Sequence, residues 1–210
     1  MKHMPRSVPS PSKVRILLAA ERLFGRHGIE GVSLRQIAEA AGHGNVNATQ
    51  YHFGNKDGLV LAIMHYRRPN IDAHRAQLAS NWGVSLDSAP ISILVRLIHM
   101  GLFDQVDEDG RRSYALFLRS VLQFDTFNHI WRRSGDSAPF TDGIYRSLRN
   151  RLPRLSDRLW EARFQALGRF GVNSIVDFDA GLCDIMSEDE FLADLERMVV
   201  AALACAVTVE

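Results

Sequence analysis

Apolar side chains recur along this chain at intervals of three and four residues, which is the spacing of one face of an α-helix. In the segment 13–27 the recurring positions are Ile16, Ala20, Leu23 and Phe24. Gly28 follows where a helix would end, because glycine enters the left-handed region at little cost. No stretch of six or more residues alternates between apolar and polar side chains as a half-buried strand would. The pattern therefore predicts an all-α protein.

The same periodicity continues to the end of the chain, with turn-forming residues between the segments. We expect Ser12 to cap the first helix and Pro69 to close the helix that begins after Asn55. Ser187 precedes Glu190 by three residues, the spacing of a capping box. The predicted helices cover residues 13–27, 33–41, 47–53, 56–67, 70–82, 89–105, 111–132, 140–151, 154–174 and 187–206.

The stretch 33–58 combines two short helical patterns with a turn between them. Ser33 and Gln36 form a second capping box, and Gly42 stands where the first of the two helices would end. The following residues are rich in side chains that form hydrogen bonds and poor in large apolar ones. A small helix, a glycine-containing turn and a polar second helix are typical of a DNA-binding helix-turn-helix.

Charge is distributed unevenly along the chain. Residues 1–68 contain ten Lys and Arg and four acidic residues, a net charge of +6, whereas residues 69–210 contain 15 basic and 20 acidic residues, a net charge of −5. A basic N-terminal unit on an acidic body fits a protein that binds a polyanion through its N-terminal part. Ordinary fluctuation of charge along a chain is the alternative.

These patterns divide the chain into three parts. Residues 1–11, with three prolines, are predicted to be a disordered arm that either lies along DNA or is a solvated tail. Residues 12–68 are predicted to be the helix-turn-helix domain, and residues 69–210 a larger helical domain. The small core of the helix-turn-helix domain is predicted to contain Leu17, Ala20, Leu23, Phe24, Leu34, Ile37, Ala38, Phe53, Leu59 and Ile63.

Several classes of protein are not indicated. The two cysteines, Cys183 and Cys205, have neither a disulfide framework nor the spacing of metal ligands, and we expect no metal and no cofactor. The N-terminus has no secretory signal, and the longest apolar run, 198–209, is too short to span a bilayer. The sequence lacks GxSxG, HExxH, P-loop and GxGxxG motifs, which argues against an enzyme. We expect a soluble cytoplasmic protein.

Three segments together resemble the DNA-binding domain of the tetracycline-repressor-type (TetR) family of transcriptional regulators. They are AAERLFGRHG, GVSLRQIAEAAG and ATQYHFGNKDGLVLAI, and the run Tyr51-His52-Phe53 before Gly54-Asn55-Lys56 is the most specific part. The resemblance covers about a quarter of the chain. It implies a dimeric regulator that binds a double-stranded operator and a small effector. Here the link 43–47 is one residue longer than is common in the family, and Gln50 replaces the first of two aromatic residues.

Candidate DNA contacts follow from side-chain chemistry at the helix-turn-helix. Amide and hydroxyl groups of Asn45, Asn47, Thr49 and Gln50 can bond base edges. The resemblance implies that Tyr51 and His52 contact phosphates. Lys56 adds a cation at a helix N-terminus, where backbone amides already favour an anion. At the start of the preceding helix, we expect contacts with the DNA backbone on the other side of the groove from Ser33, Arg35 and Gln36. As alternatives, the two asparagines shape the turn and His52 is structural. Phe53 is expected in the core.

The resemblance also implies an effector cavity and a dimer interface in the larger domain. Candidate cavity residues are His99, Met100, Phe103, Tyr114, Phe117, Val121, Phe124, Phe127 and Trp131, with Gln123 as a further polar candidate. Candidate interface residues on the last two helices are Leu159, Phe164, Leu167, Phe170, Phe191, Leu195, Met198, Val199 and Ala202. The alternative for both sets is that they form the core of a single chain.

The sequence thus predicts a ligand-responsive, dimeric DNA-binding regulator, a repressor released from a palindromic operator by a small and largely apolar effector. The alternative is a helical adaptor that binds protein rather than DNA. The polar helix beside a basic flank argues for DNA, because an adaptor has no need for it.

Overall fold

The fold is described by a computed structural model, which covers residues 9–42, 51–123, 138–182 and 185–205. Every regular element in these ranges is helical, as the sequence predicts. The labelled helices are α1 (Pro11–His27), α2 (Leu34–Ala40), α3 (Lys56–Asn81), α4 (Ile91–Phe103), α5 (Ser113–Leu122), α6 (Pro139–Arg151), α7 (Asp157–Asp179) and α8 (Glu188–Ala204).

Helix α1 begins two residues earlier than the sequence predicts. The N-cap is Ser10, whose Oγ accepts a hydrogen bond from the backbone N–H of Lys13, and the predicted cap Ser12 lies inside the helix. Pro11 occupies the first turn, where its missing N–H costs nothing. The predicted arm therefore ends before residue 11, and its first eight residues lie outside the described part of the chain.

Helix α2 has the predicted ends. The hydroxyl of Ser33 accepts from the N–H of Gln36, and the Gln36 side chain accepts from the N–H of Ser33, which completes the capping box. Gly42 has φ of 70°, the left-handed conformation that ends the helix. Residues 43–50 lie outside the described ranges, and residues 51–53 are helical.

Helix α3 corrects the prediction that Pro69 closes a helix. The helix runs without interruption for 26 residues and contains Pro69, so the predicted helices 56–67 and 70–82 are one. A proline inside a helix costs about 3 kcal/mol, because it removes an N–H and crowds the preceding turn. Burial of α3 on both sides of the proline, at Met64 and Ile71 among other residues, outweighs this cost. The helix, about 39 Å long at 1.5 Å per residue, joins the N-terminal unit to the larger domain.

The predicted core of the N-terminal unit is largely confirmed. Leu17, Ala20, Phe24, Ile37, Ala38, Leu59 and Ile63 are buried. Leu23, Leu34 and Phe53 are half-buried and pack against the same core. This core continues without a break into the larger domain, so α1 and α2 do not rely on their own small interior for stability.

The larger domain is a bundle in which α5 packs between α1 and α7, and α4 packs against α3, α6 and α8. Its predicted helices are found with shifted ends within the described ranges, and α7 extends to Asp179 rather than ending near residue 174. Residues 124–132 of the predicted helix 111–132 lie outside those ranges. Arg112 joins three of these elements, since its guanidinium bonds Asp179 at 3.2 Å and Glu188 at 2.7 Å and lies 3.6 Å from the ring centroid of Phe103.

No helix in the described part of the chain has the length and apolar character needed to cross a membrane. Within the same ranges, His, Cys, Asp and Glu side chains form no group of three or more suited to hold a metal ion.

Candidate nucleic-acid interface and ligand cavity

The predicted contacts on α2 are exposed. Ser33, Arg35 and Gln36 all lie at the surface. The hydroxyl of Ser33 and the side chain of Gln36 are held by the capping box, and Arg35 forms an ion pair with Glu39 one turn later at 2.8 Å. The start of α2 therefore presents an ordered polar surface.

The end of the second helix of the motif presents Tyr51 and His52. The Tyr51 side chain is 87% exposed, which is unusual for a large aromatic residue, and His52 is exposed beside it with ring centroids 5.4 Å apart. Phe53 turns inward against the core, as predicted. An exposed tyrosine and histidine suit contacts with phosphates. The candidate base contacts Asn45, Asn47, Thr49 and Gln50 lie outside the described residues.

Lys56, at the first turn of α3, is tied to the connection between α1 and α2. Its Nζ donates to the backbone carbonyl of Glu30 at 3.0 Å and lies 3.6 Å from the Glu30 carboxylate. Asn55 caps the same helix by accepting from the N–H of Gly58 at 2.9 Å. The ammonium group is therefore positioned near the helix N-terminus, with part of its charge offset by Glu30.

A cavity of about 360 Å³ lies inside the larger domain, within the range of about 300–1,000 Å³ typical of small-ligand sites. Its wall is contributed by α3, α4, α5, α6 and α7. The apolar lining includes Ile71, Ile98, Leu102, Leu118, Leu122 and Phe164. The polar lining includes Arg68, Arg75, His99, Tyr114, Thr141 and Tyr145.

The cavity residues predicted from sequence are placed unevenly. His99 and Tyr114 line the cavity, whereas Met100, Phe103, Phe117 and Val121 are not part of its wall. Phe103 packs against Phe178 and Phe191, and Phe117 stacks on Phe24, because these positions fall on the opposite faces of α4 and α5. Gln123 is also absent from the lining. Phe124, Phe127 and Trp131 lie outside the described residues.

Arg68 and Arg75 are lining residues that the sequence reasoning missed. With Ile71 and Asp72 they fall at i, i+3, i+4 and i+7, so one face of α3 carries all four. This signal was present in the sequence. It was hidden by the prediction that Pro69 ends a helix, which placed Arg68 and Arg75 in separate elements.

Arg75 crosses from α3 to α4 and α6. It donates to the hydroxyl of Thr141 at 3.0 Å and to the carbonyl of Ile98 at 2.8 Å, and Gly101 leaves room for its side chain. Burial lowers the pKa of Arg75, although the nearby hydroxyls of Tyr145 and Tyr114 and the carboxylate of Asp72 oppose this effect. Burial also raises the pKa of both tyrosines, so their hydroxyls stay protonated at neutral pH.

His99 is neutral in the folded protein. Its Nδ1 lies 2.9 Å from the carbonyl oxygen of Val95, which can only accept, so this nitrogen carries the proton. Its Nε2 faces α7 at Gly171, where the absence of a Cβ leaves space for the ring. Burial lowers the pKa of His99 to about 4.

The depressed pKa of His99 predicts a loss of stability in weak acid. Above pH 6.5 the histidine is neutral in both states. Between pH 6.5 and about 4 the unfolded chain binds a proton that the folded chain does not. The free energy of unfolding therefore decreases as the pH is lowered through this range. A shift of this size corresponds to about 3 kcal/mol, and we expect about 1–2 kcal/mol because the ring borders the cavity. Urea unfolding at pH 7 and pH 4.5 measures it, with His99→Leu as the non-titrating control. An equal loss in both proteins would contradict this assignment.

The candidate interface residues on α7 and α8 divide into two groups. Phe191, Leu195 and Val199 are buried in the core of the chain itself, which corrects their assignment to an outer face. Leu159 and Leu167 are half-buried, and Phe164 lines the cavity. Phe170, Met198 and Ala202 are exposed, the first two at 38% and 44%. These three residues remain candidates for a contact with a second copy.

Residues 16–63 match the model of the family described as "Bacterial regulatory proteins, tetR family". A segment of 55 residues is 42% identical to the HTH-type transcriptional repressor AcnR of Corynebacterium glutamicum, and the same identity is found with AcnR of Corynebacterium efficiens. Each match covers 26% of this chain and 29% of the relative, so the chain spans less than a third of the curated relatives that it matches.

The whole chain is similar in fold to solved structures of low sequence identity. A structure described as a TetR-family transcription regulator from Shewanella sp. PV-4 superposes with a TM-score of 0.62 and 15% identity, covering 92% of this chain and 96% of that one. NalD of Pseudomonas aeruginosa, described as the secondary repressor of a multidrug efflux pump, gives 0.55 and 21%, covering 91% and 96%. These likenesses extend the agreement in fold beyond the matched N-terminal segment.

Proposed function

From the premise that this chain belongs to the tetR family of bacterial regulatory proteins, we propose that it is a dimeric repressor. It binds a palindromic operator through the exposed surface of α2 and the segment 43–53. It releases that operator when a small effector enters the cavity of the larger domain. The observation that carries the second part of this proposal is that α5 forms both a wall of the cavity and the surface on which α1 docks.

The DNA-binding part of the proposal is supported by side chains already held at the surface. The capping box orders the start of α2, Tyr51 and His52 are exposed, and Lys56 is fixed near the N-terminus of α3. Backbone amides and cations in such positions contact phosphates and set the register of a helix in the major groove. The relatives named AcnR are described as repressors, which supports the sign of regulation.

The two faces of α5 support coupling between ligand and DNA. Tyr114, Leu118 and Leu122, at i, i+4 and i+8, face the cavity. On the other side, Phe117 stacks on Phe24 of α1 with ring centroids 6.4 Å apart. A displacement of α5 by a ligand would therefore move α1, and with it the DNA-binding unit.

α1 packs closely against α5 and is also bonded to α3. Gly25 lies so close to α5 that a Cβ would be 3.1 Å from the backbone nitrogen of Phe117. Ser113, at the start of α5, donates to the carboxylate of Glu21 at 2.9 Å, and Arg67 of α3 donates two hydrogen bonds of 2.7 Å to the same carboxylate. One buried carboxylate thus joins α1, α3 and α5. An effector shifts the equilibrium between two such arrangements only as far as its affinities for them differ.

A dimer is proposed because one helix-turn-helix contacts too few base pairs for useful specificity. Phe170 on α7 and Met198 and Ala202 on α8 are exposed. These two helices are the last in the sequence, whereas the DNA-binding unit is formed by the first. Small exposed residues on the same helices, such as Ala162, allow two copies to approach closely. A self-complementary contact of this kind gives the two-fold symmetry that a palindrome requires.

In vitro selection from random double-stranded DNA tests the function directly. We expect the purified protein to enrich a palindromic site and to retard it in a gel shift at modest salt. Recovery of no common site, or of a site without two-fold symmetry, would contradict a dimeric DNA-binding regulator.

Salt dependence on the selected site tests the role of Lys56. We expect Lys56→Ala to weaken binding to all sequences alike and to reduce the slope of log K against log salt by about 0.9 for each protomer, because one phosphate contact is lost. Arg146→Gln, which removes an exposed charge on α6, is the matched control. An unchanged slope in the Lys56 variant would rule out a phosphate contact.

A further inference from the structure

Two tyrosine hydroxyls in the wall of the cavity have no hydrogen-bond partner in the described part of the chain. Tyr114 on α5 and Tyr145 on α6 both line the cavity. Neither hydroxyl oxygen is fully enclosed, as an unbonded atom in a packed core would be. Tyr114 is only 2% exposed, so the accessible space at its hydroxyl is that of the cavity. A buried tyrosine hydroxyl ordinarily has a partner, which must here come from the contents of the cavity.

Both hydroxyls are available as donors. Burial raises the pKa of each, so each keeps its proton at neutral pH. A protonated phenol can donate one hydrogen bond and can also accept. Unused acceptor positions are tolerated in protein interiors better than unpaired donors are. The group that best satisfies either tyrosine is therefore an acceptor.

Other polar groups of the wall are already bonded within the protein. The hydroxyl of Thr141 donates to Asp72 at 2.7 Å and accepts from Arg75 at 3.0 Å. The proton on Nδ1 of His99 is directed to the carbonyl of Val95 at 2.9 Å. These bonds connect α3 to α6 and close a turn of α4, so the protons of Thr141 and His99 are not offered to a ligand.

The space beside the tyrosines is apolar. Tyr145 also borders a second, smaller space of about 70 Å³, which continues from the cavity towards α8. Leu148 of α6, Trp160 of α7 and Val199 of α8 contribute to its wall. Hydrocarbon gains free energy by leaving water for such surroundings. The two hydroxyls thus stand as isolated donors in a space suited to an apolar molecule.

We propose that the effector is an apolar molecule with a carbonyl oxygen, as in a ketone, ester or amide, and that this oxygen accepts a hydrogen bond from Tyr114 or Tyr145. The hydrocarbon part fills the apolar space around them. A carbonyl oxygen brings no charge into the cavity, so the bonds of Arg75 to the wall stay in place. This deepens the proposed function, on which it rests in taking the cavity as the effector site.

Equilibrium dialysis with two matched pairs of probes tests the role of the oxygen. Diphenylmethane has a methylene group where benzophenone has its carbonyl, and propylbenzene with propiophenone gives a one-ring pair. We expect at least one ketone to bind. The double variant Tyr114→Phe with Tyr145→Phe should lower its affinity about tenfold and change that of the matched hydrocarbon by less than about twofold. Binding of neither ketone, or an equal change for ketone and hydrocarbon, would overturn the proposal.

Single variants and a control locate the hydrogen bond. Tyr114→Phe and Tyr145→Phe show which hydroxyl carries the effect. Tyr66→Phe makes the same change in a half-buried tyrosine of α3 that is not part of the cavity wall, and it should leave the affinity for both probes unchanged. A loss of ketone affinity in this control equal to that in the double variant would overturn the assignment.

Thermal unfolding without ligand checks that the hydroxyls are unbonded inside the protein. We expect the double variant to unfold at a temperature no lower than the parent protein, because phenylalanine keeps the ring and no internal hydrogen bond is lost. A clear decrease would reveal internal partners and overturn the proposal. Neither experiment contains DNA, so their failure leaves operator binding untouched, and failure of the operator selection leaves their outcome unchanged.

Discussion

Glu21→Ala is expected to lower the free energy of unfolding by about 3–5 kcal/mol, because it leaves the guanidinium of Arg67, whose side chain is only 15% exposed, without its carboxylate. Glu21 is 1% exposed and accepts both hydrogen bonds from Arg67. Burial alone would lower the pKa of Arg67, but the hydrogen bonds and charge of Glu21 outweigh it, and the pKa is raised. Urea unfolding at pH 7, followed by circular dichroism, measures the loss.

Two control proteins distinguish the effect of leaving Arg67 unpaired from the effect of removing a negative charge. The double variant Glu21→Leu with Arg67→Met replaces both partners by apolar groups, and we expect it to be distinctly more stable than Glu21→Ala. Glu108→Ala removes a carboxylate that is 77% exposed and paired with Arg22, and it should cost no more than about 1 kcal/mol. A double variant no more stable than the single one would show that the loss does not arise from an unpaired Arg67.

The position of this pair explains why the sequence could predict the DNA-binding unit but not its attachment. Periodicity and capping spacings depend on neighbours within one or two turns, so the ends of α2 and the burial of Phe24 and Ile37 could be read from the chain. The contact between Glu21 and Ser113 joins residues 92 positions apart. No local pattern records such a contact, and a glutamate in a helix ordinarily indicates a solvated face.

Pro69 shows how one local rule obscured the cavity. The expectation that proline ends a helix is correct for an isolated segment, because the cost of about 3 kcal/mol for a proline inside a helix is not offset there. In α3 the flanking turns are buried, and packing decides instead. Because the prediction ended a helix at Pro69, it placed Arg68 and Arg75 in different elements and did not identify them as residues that line one cavity. The aromatic content of α4 and α5 instead predicted Phe103 and Phe117 as cavity residues, and both pack in the core.

The aromatic rule failed for a related reason. A cavity wall and a core both favour large apolar side chains, so composition alone cannot distinguish them. The lining is decided by which face of each helix meets an incompletely filled space. On α5 that face contains Tyr114 and Leu118 and excludes Phe117. Spacing along α5 could have separated the two faces, but only the packing of α1 shows which of them is filled.

Alanine substitutions at two glycines of α7 are expected to change the free energy of unfolding in opposite directions. A Cβ at Gly171 would overlap the ring of His99, which is held by its bond to Val95, whereas a Cβ at Gly168 would have no atom within 4 Å. Gly171→Ala should therefore destabilise the protein by about 1–3 kcal/mol through overpacking. Gly168→Ala should stabilise it by up to about 1 kcal/mol, because alanine restricts the unfolded chain and favours the helix.

Thermal unfolding of the two variants at equal protein concentration measures the difference in stability between them, which we expect to be about 1–4 kcal/mol when both effects are included. Combining Gly171→Ala with His99→Ala should restore part of the loss, since the smaller side chain removes the overlap. If Gly171→Ala is as stable as Gly168→Ala, then α4 and α7 can separate at this crossing without cost. The close approach of His99 to Gly171 would then not fix the distance between α4 and α7, the two cavity-lining helices that carry these residues.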